Sequence, residues 1–173
     1  MNSKHIFAFL LSALGLSSIC MQASQKLVGK PAPVFCNQAV YPDGSVKDFD
    51  LKNFIGQNIV LYFYPMDNTP GCTIQAKKFR DEIDRLKAEN IMVVGISTDS
   101  VQSHKNFQKK LALPYPLIAD TGKNSISKMY KTNGIFFGKR ETFLINKKGI
   151  IFKVFDHVDI KNQIDDILEA FEK

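Results

Sequence analysis

The chain has 173 residues, 45% of them hydrophobic and 23% charged, which is enough apolar material for one globular domain with a real core. Its formal net charge of +6 is not gathered into a basic tract: Lys77-Lys78, Lys109-Lys110 and Lys147-Lys148 are isolated pairs. A nucleic-acid surface wants a denser stripe, so these charges read as solvated helix faces and turns, and nucleic acid is excluded as a partner.

At the N-terminus, Lys4 and His5 precede an uncharged run over residues 6–19, rich in Leu, Phe, Ala and Ser, and residues 20–25 then turn polar. This is the pattern of a secretory signal peptide, and the run is too short to span a bilayer comfortably. The expected organisation is a signal peptide over 1–23 and a single domain over 27–173, exported and periplasmic, with no membrane span after cleavage. Cleavage after Ala23 or after Cys20 fits, although neither is a clean small-x-small site. A lipid anchor on Cys20 is the competing reading, and the bulky Ile19 before it counts against that reading. Loss of the segment leaves two cysteines, Cys36 and Cys72. Gln75 stands third after Cys72, so there is no C-x-x-C pair, and two cysteines do not make a disulfide scaffold.

In chain order, residues 34–40 and 45–49 read as an N-terminal β-hairpin across the turn Tyr41-Pro42-Asp43-Gly44. A short helical turn over 51–55 follows. Residues 58–64 and 91–97 are continuous apolar runs, as expected of central strands covered on both faces. Between them a helix is expected from Pro70 to about residue 90, with Ile74, Phe79, Ile83 and Leu86 on its apolar face. Ser100 caps a helix reaching residue 111, with Pro114 beyond its end. A short strand over 117–119, a small helix over 124–132 and a hairpin of 141–146 with 150–155 come next. The last helix, 159–171, carries Ile160, Ile164, Ile167, Leu168 and Phe171 on one face. Strands alternating with helices and closed by a hairpin predict an α/β fold with a mixed central sheet flanked by helices.

The stretch from Tyr62 to Asp81 carries the chemistry. Strand breaks at Pro65, and helix resumes with Thr69 as N-cap, its side-chain oxygen free to accept an orphan N–H. Pro70 falls at N1, where a missing N–H costs nothing, and Cys72 falls at N3. Unpaired N–H groups and the positive end of the helix dipole favour thiolate over thiol there. The histidines carry little signal: His104 is placed on a polar helix face and His157 in a loop.

Pro65-x-x-x-Thr69-x-x-Cys72 resembles the peroxiredoxin active-site signature. The longer string Tyr62-Phe63-Tyr64-Pro65 with Thr69-Pro70-Gly71-Cys72-Thr73 and Phe79-Arg80-Asp81 is similar to the peroxiredoxin Q or bacterioferritin-comigratory-protein branch. So are Gly95-Ile96-Ser97-Thr98-Asp99 and Arg140-Glu141-Thr142-Phe143-Leu144-Ile145. The resemblance covers the chain from about residue 27 to its end. It implies a thioredoxin-like fold and an antioxidant, thiol-dependent peroxidase that reduces hydrogen peroxide and organic hydroperoxides. By position, Cys72 is the peroxidatic nucleophile, Thr69 hydrogen-bonds the bound peroxide, Pro65 shields the sulfur from water, and Arg140 holds the thiolate and polarises the peroxide. No cofactor or metal is called for, and the resemblance leans towards a monomer or weak homodimer.

The chain also departs from that pattern. A second cysteine often lies five residues after the first in this branch, and here that position is Lys77. No cysteine follows later. Only Cys36 is left as a resolving cysteine, and a buried or semi-buried structural role is the simpler reading of it. The expectation is a one-cysteine enzyme, its sulfenic acid resolved by an external thiol such as thioredoxin, a glutaredoxin-like protein or a low-molecular-weight thiol. Two other readings stay open: an exported thiol–disulfide oxidoreductase, which would want C-x-x-C, and a non-catalytic stress-binding module on the same fold.

Overall fold

The computed structural model describes residues 23–122, 125–133 and 138–172. All of the predicted signal segment except Ala23, including Cys20, lies outside the described residues. Strand β1 (Cys36–Val40) turns back into β2 (Val46–Asp50) across Tyr41 to Ser45, with Gly44 at φ 78° supplying the left-handed residue the turn requires. A single 3-10 turn (Leu51–Phe54) leads to β3 (Asn58–Phe63). Helices α1 (Pro70–Asp81) and α2 (Ile83–Ala88) precede β4 (Ile91–Ser97); α3 (Val101–Leu111) precedes β5 (Leu117–Ala119). A short α4 (Ile126–Met129), the hairpin β6 (Glu141–Ile145) and β7 (Ile151–Phe155), and α5 (Gln163–Glu172) complete the order.

The seven strands form one sheet in the order β2-β1-β5-β4-β3-β6-β7. The pairs β3–β4 and β4–β5 are parallel and the rest antiparallel, so the sheet is mixed as the sequence predicts. Strand alternation sorts β3 into two cores. Val60, Tyr62 and Tyr64 face a cluster with Phe79 and Leu86 of α1 and α2, Phe107 of α3 and Ile164 and Ile167 of α5. Ile59, Leu61 and Phe63 face a second cluster with Phe35, Phe49, Ile118, Tyr130 and Phe143. In the register β3–β4, Tyr62 lies beside Gly95, and a Cβ on Gly95 would sit 2.7 Å from the Tyr62 hydroxyl oxygen. Only glycine admits that ring.

Several expectations change. The helix predicted to residue 90 breaks at Glu82, which leaves helical geometry at φ −106°, ψ 10°. The break redirects the chain so that α2 packs on β4, with Leu86 fully buried. Ile74 is not on the buried face: it is 60% exposed, and Cys72, Gln75, Ala76 and Phe79 form that face instead. The reason is angular, since residues at i, i+3, i+4 and i+7 share a helix face and i+2 does not. His104 is fully buried rather than on a polar face, because α3 presses it against the loop after β3. Cys36 is exposed, not buried or semi-buried, because at the start of β1 it is paired only to Asp50 of β2. The last helix begins at Gln163, preceded by a turn in which Asp159 accepts from Lys161 N at 3.0 Å and from Asn162 Nδ2 at 2.9 Å.

Candidate active site

The sheet brings the two halves of the signature together. β6 runs antiparallel to β3, with Phe63 opposite Glu141. The start of β6 therefore lies beside the end of β3, where the chain leaves for Pro65 and α1. Arg140, one residue before β6, is delivered to the first turn of α1.

Cys72 is 2% exposed. Nη2 of Arg140 donates to its Sγ at 3.3 Å, while Nη1 of the same guanidinium donates to Gln75 Oε1. Both acceptors sit on one face of α1, three residues apart, so the planar fork spans them. Gly71 makes room: a Cβ there would lie 3.2 Å from Arg140 Nη2. A guanidinium and the start of a helix thus converge on one sulfur.

Thr69 is the N-cap residue and its carbonyl accepts from Thr73 N at 2.9 Å, but its side chain does not cap. Its hydroxyl instead donates to Met66 O at 3.1 Å. The expected cap bond is absent because the hydroxyl closes the preceding loop, and its lone pairs are left for an incoming donor. Pro65 is half-buried at the start of that loop. Lys77 is exposed, as expected of a solvated helix residue.

The loop from Pro65 to Thr69 is held from behind by a buried network. Asp67 is 5% exposed, and its carboxylate accepts from Tyr64 OH at 2.9 Å and Ser103 Oγ at 2.7 Å. His104 Nδ1 lies 2.9 Å from Asp67 Oδ2, and Nε2 lies 3.2 Å from Ile118 O. The ring is thus held on both sides, between Asp67 and the backbone of β5. Burial and then the Asp67 charge hold the Tyr64 phenol well above its ordinary range, which keeps it a donor. Asp67 N also donates to Asp99 Oδ2 at 2.9 Å, and Lys110 Nζ to Asn68 Oδ1 at 3.0 Å. Sequence reasoning missed Gln75, Asp67 and His104. Gln75 was visible only as a missing cysteine, yet its spacing from Cys72 already placed it on the same helix face.

A groove of about 630 Å³ lined by Phe54, Gln57, Lys87, Met92, Tyr115 and Lys147 opens at the other end of the central strands and holds none of these site residues.

Comparison with known proteins follows the same outline. The sequence profile of the AhpC/TSA family matches residues 28–154. A putative peroxiredoxin, bcp, of Helicobacter pylori is 38% identical over 142 residues, covering 75% of this chain and 93% of that protein. The chloroplastic peroxiredoxin Q of Triticum aestivum is 40% identical over 127 residues, covering 69% of this chain and 58% of that protein. Among solved structures, Xanthomonas campestris peroxiredoxin Q superposes with a TM-score of 0.72 at 25% identity, over 80% of this chain and 89% of that one.

Proposed function

This chain belongs to the AhpC/TSA family, and from that membership we propose that it is a one-cysteine, thiol-dependent peroxidase acting through Cys72. The observation that carries the reading is the Arg140 guanidinium donating to Cys72 Sγ at 3.3 Å in the first turn of α1. The thiolate attacks one peroxide oxygen; the S–O bond forms as the O–O bond breaks. The sulfur is oxidised to sulfenic acid, and the leaving oxygen departs with the electron pair and takes a proton as water or an alcohol. Arg140 and the N–H groups at the helix start lie where charge develops on the oxygens, which is where fixed donors contribute most. Thr69 accepts from the hydroperoxide, and Pro65 shields the sulfur.

The sulfenic acid is then attacked by an external thiol: a mixed disulfide forms and water leaves. A second thiol releases Cys72 as thiolate and leaves with the reductant as a disulfide. Cys36 takes no part. The protein acts outside the cytoplasm, a proposal that rests on Lys4, the apolar run over 6–19 and the polar residues after it. From Gln25 onward the chain is bonded to the β7 edge: Gln25 Nε2 donates to Val154 O and Gly29 N to Ile151 O.

The test is hydrogen peroxide consumption with dithiothreitol as reductant. Wild type and Cys36→Ser are expected to turn over alike, and Cys72→Ser not at all. Activity retained in Cys72→Ser would end the peroxidase reading; loss of turnover in Cys36→Ser would end its one-cysteine form. The mass of the exported protein reads the cleavage site, and a lipid mass on Cys20 would replace cleavage with anchoring.

A further inference from the structure

Helix α5 reaches the site through its first residue. Gln163 is 3% exposed; its Oε1 accepts from Gln75 Nε2 at 2.9 Å, and its Nε2 donates to Thr142 Oγ1 at 2.8 Å. Gln75 and Thr142 are fully buried. The direction of this chain is set by its charged end. A guanidinium only donates, so Gln75 must turn its oxygen to Arg140 and its amide nitrogen to Gln163. Gln163 must answer with its oxygen, and its own amide nitrogen then falls against Thr142. Reversing either amide would set two donors against each other in a buried place.

The chain also closes on itself. Arg140 lies one residue before β6 and Thr142 is the second residue of that strand. Hydrogen bonds thus run from β6 through α1 to α5 and back to β6. A closed, one-way ring of this kind fixes rotamers that a single contact would leave free.

We propose that Gln163 is a positioning residue for Cys72: it holds the Gln75 amide in the one orientation that keeps Arg140 over the sulfur. Its effect is indirect, since it touches neither sulfur nor peroxide. The proposal rests on the peroxidase reading for its rate measurement but not for its alkylation measurement.

Both are made in a Cys36→Ser background, so that Cys72 is the reporting thiol. The rate of iodoacetamide alkylation is followed by mass spectrometry against pH, alongside the second-order rate constant for hydrogen peroxide. Gln163→Met fills the space without an acceptor, and Thr142→Val keeps its shape while cutting the last link. Gln163→Met is expected to move the alkylation midpoint to higher pH and to slow the peroxide reaction about ten-fold, a part of the roughly 100-fold that follows outright loss of a charge-stabilising donor. Thr142→Val is expected to shift the midpoint the same way by less. A Gln163→Met protein that melts earlier but keeps the wild-type midpoint and rate constant would make Gln163 merely structural and overturn the proposal. Should that variant not fold, an unchanged midpoint in Thr142→Val overturns it equally. A parent that alkylates normally but consumes no peroxide refutes the peroxidase reading instead, and the midpoint still decides the role of Gln163.

Discussion

Arg140 and Glu141 are neighbours in sequence under opposite demands. Arg140 is half-buried with two acceptors in reach, whereas Glu141 is 1% exposed, and its Oε2 has no hydrogen-bond partner among the described residues. Its Oε1 lies 4.0 Å from Lys139 Nζ. Burial pushes the Glu141 carboxyl above its usual 4.5, and the nearby Ser24 hydroxyl and then the Lys139 charge oppose that only in part. The sign of the stability effect follows. Between the ordinary and the raised value the folded state holds more protons than the unfolded one, so stability falls as pH rises. The contribution of the protonated carboxyl is whole below about 4.5 and is lost as pH climbs through the folded value. The difference in melting temperature between wild type and Glu141→Gln should therefore move in favour of the variant between pH 4 and pH 8, whatever its offset at pH 4. A difference that stays flat over that range would mean that Glu141 is not held protonated.

At the scale of elements, the site is a loop and a helix start braced by two other helices. The loop from Pro65 to Thr69 has one left-handed residue, Asn68 at φ 59°, a conformation that asparagine tolerates better than most side chains. It is pinned through Asp67 to Tyr64, Ser103 and His104, and through its backbone to Asp99. His104 extends that brace to the sheet, since it links Asp67 to Ile118 O on β5. Replacing it with leucine keeps the volume roughly and leaves the Asp67 side chain with two hydroxyl donors and without its ring partner. Leaving a buried acceptor without one of its hydrogen-bond partners costs about 1–3 kcal/mol. His104→Leu should lower the unfolding free energy in urea by about that amount at neutral pH, and a loss under about 1 kcal/mol would show that the ring packs without pairing. This brace was hidden from sequence reading for a physical reason. Periodicity places His104 on α3, but its burial depends on a loop 37 residues earlier folding over it.

Across the whole molecule, the strands and their neighbours in sequence were legible because apolar runs and turn residues mark them locally. The order of the sheet was not. That β6 lies against β3, and so carries Arg140 to Cys72, is a long-range pairing that only the folded chain displays. The fate of Cys36 turns on the same order. β1 and β3 are separated by β5 and β4, three steps of about 4.8 Å, or roughly 14 Å across the sheet. A disulfide needs Cα atoms within about 7 Å, and Cys72 sits under cover on α1, in the layer of helices packed on the sheet. The strand order thus keeps the two cysteines of the described chain too far apart to join without backbone movement. Oxidation without a reductant should then run up the ladder of one sulfur rather than across to another. Treated with one equivalent of hydrogen peroxide, the protein is expected to gain one oxygen at Cys72, and with excess peroxide two. Intact mass and peptide mapping read the outcome directly. Loss of two hydrogens in the monomer, with Cys36 and Cys72 in one linked peptide, would require the fold to open far enough to join them and would make Cys36 the resolving thiol.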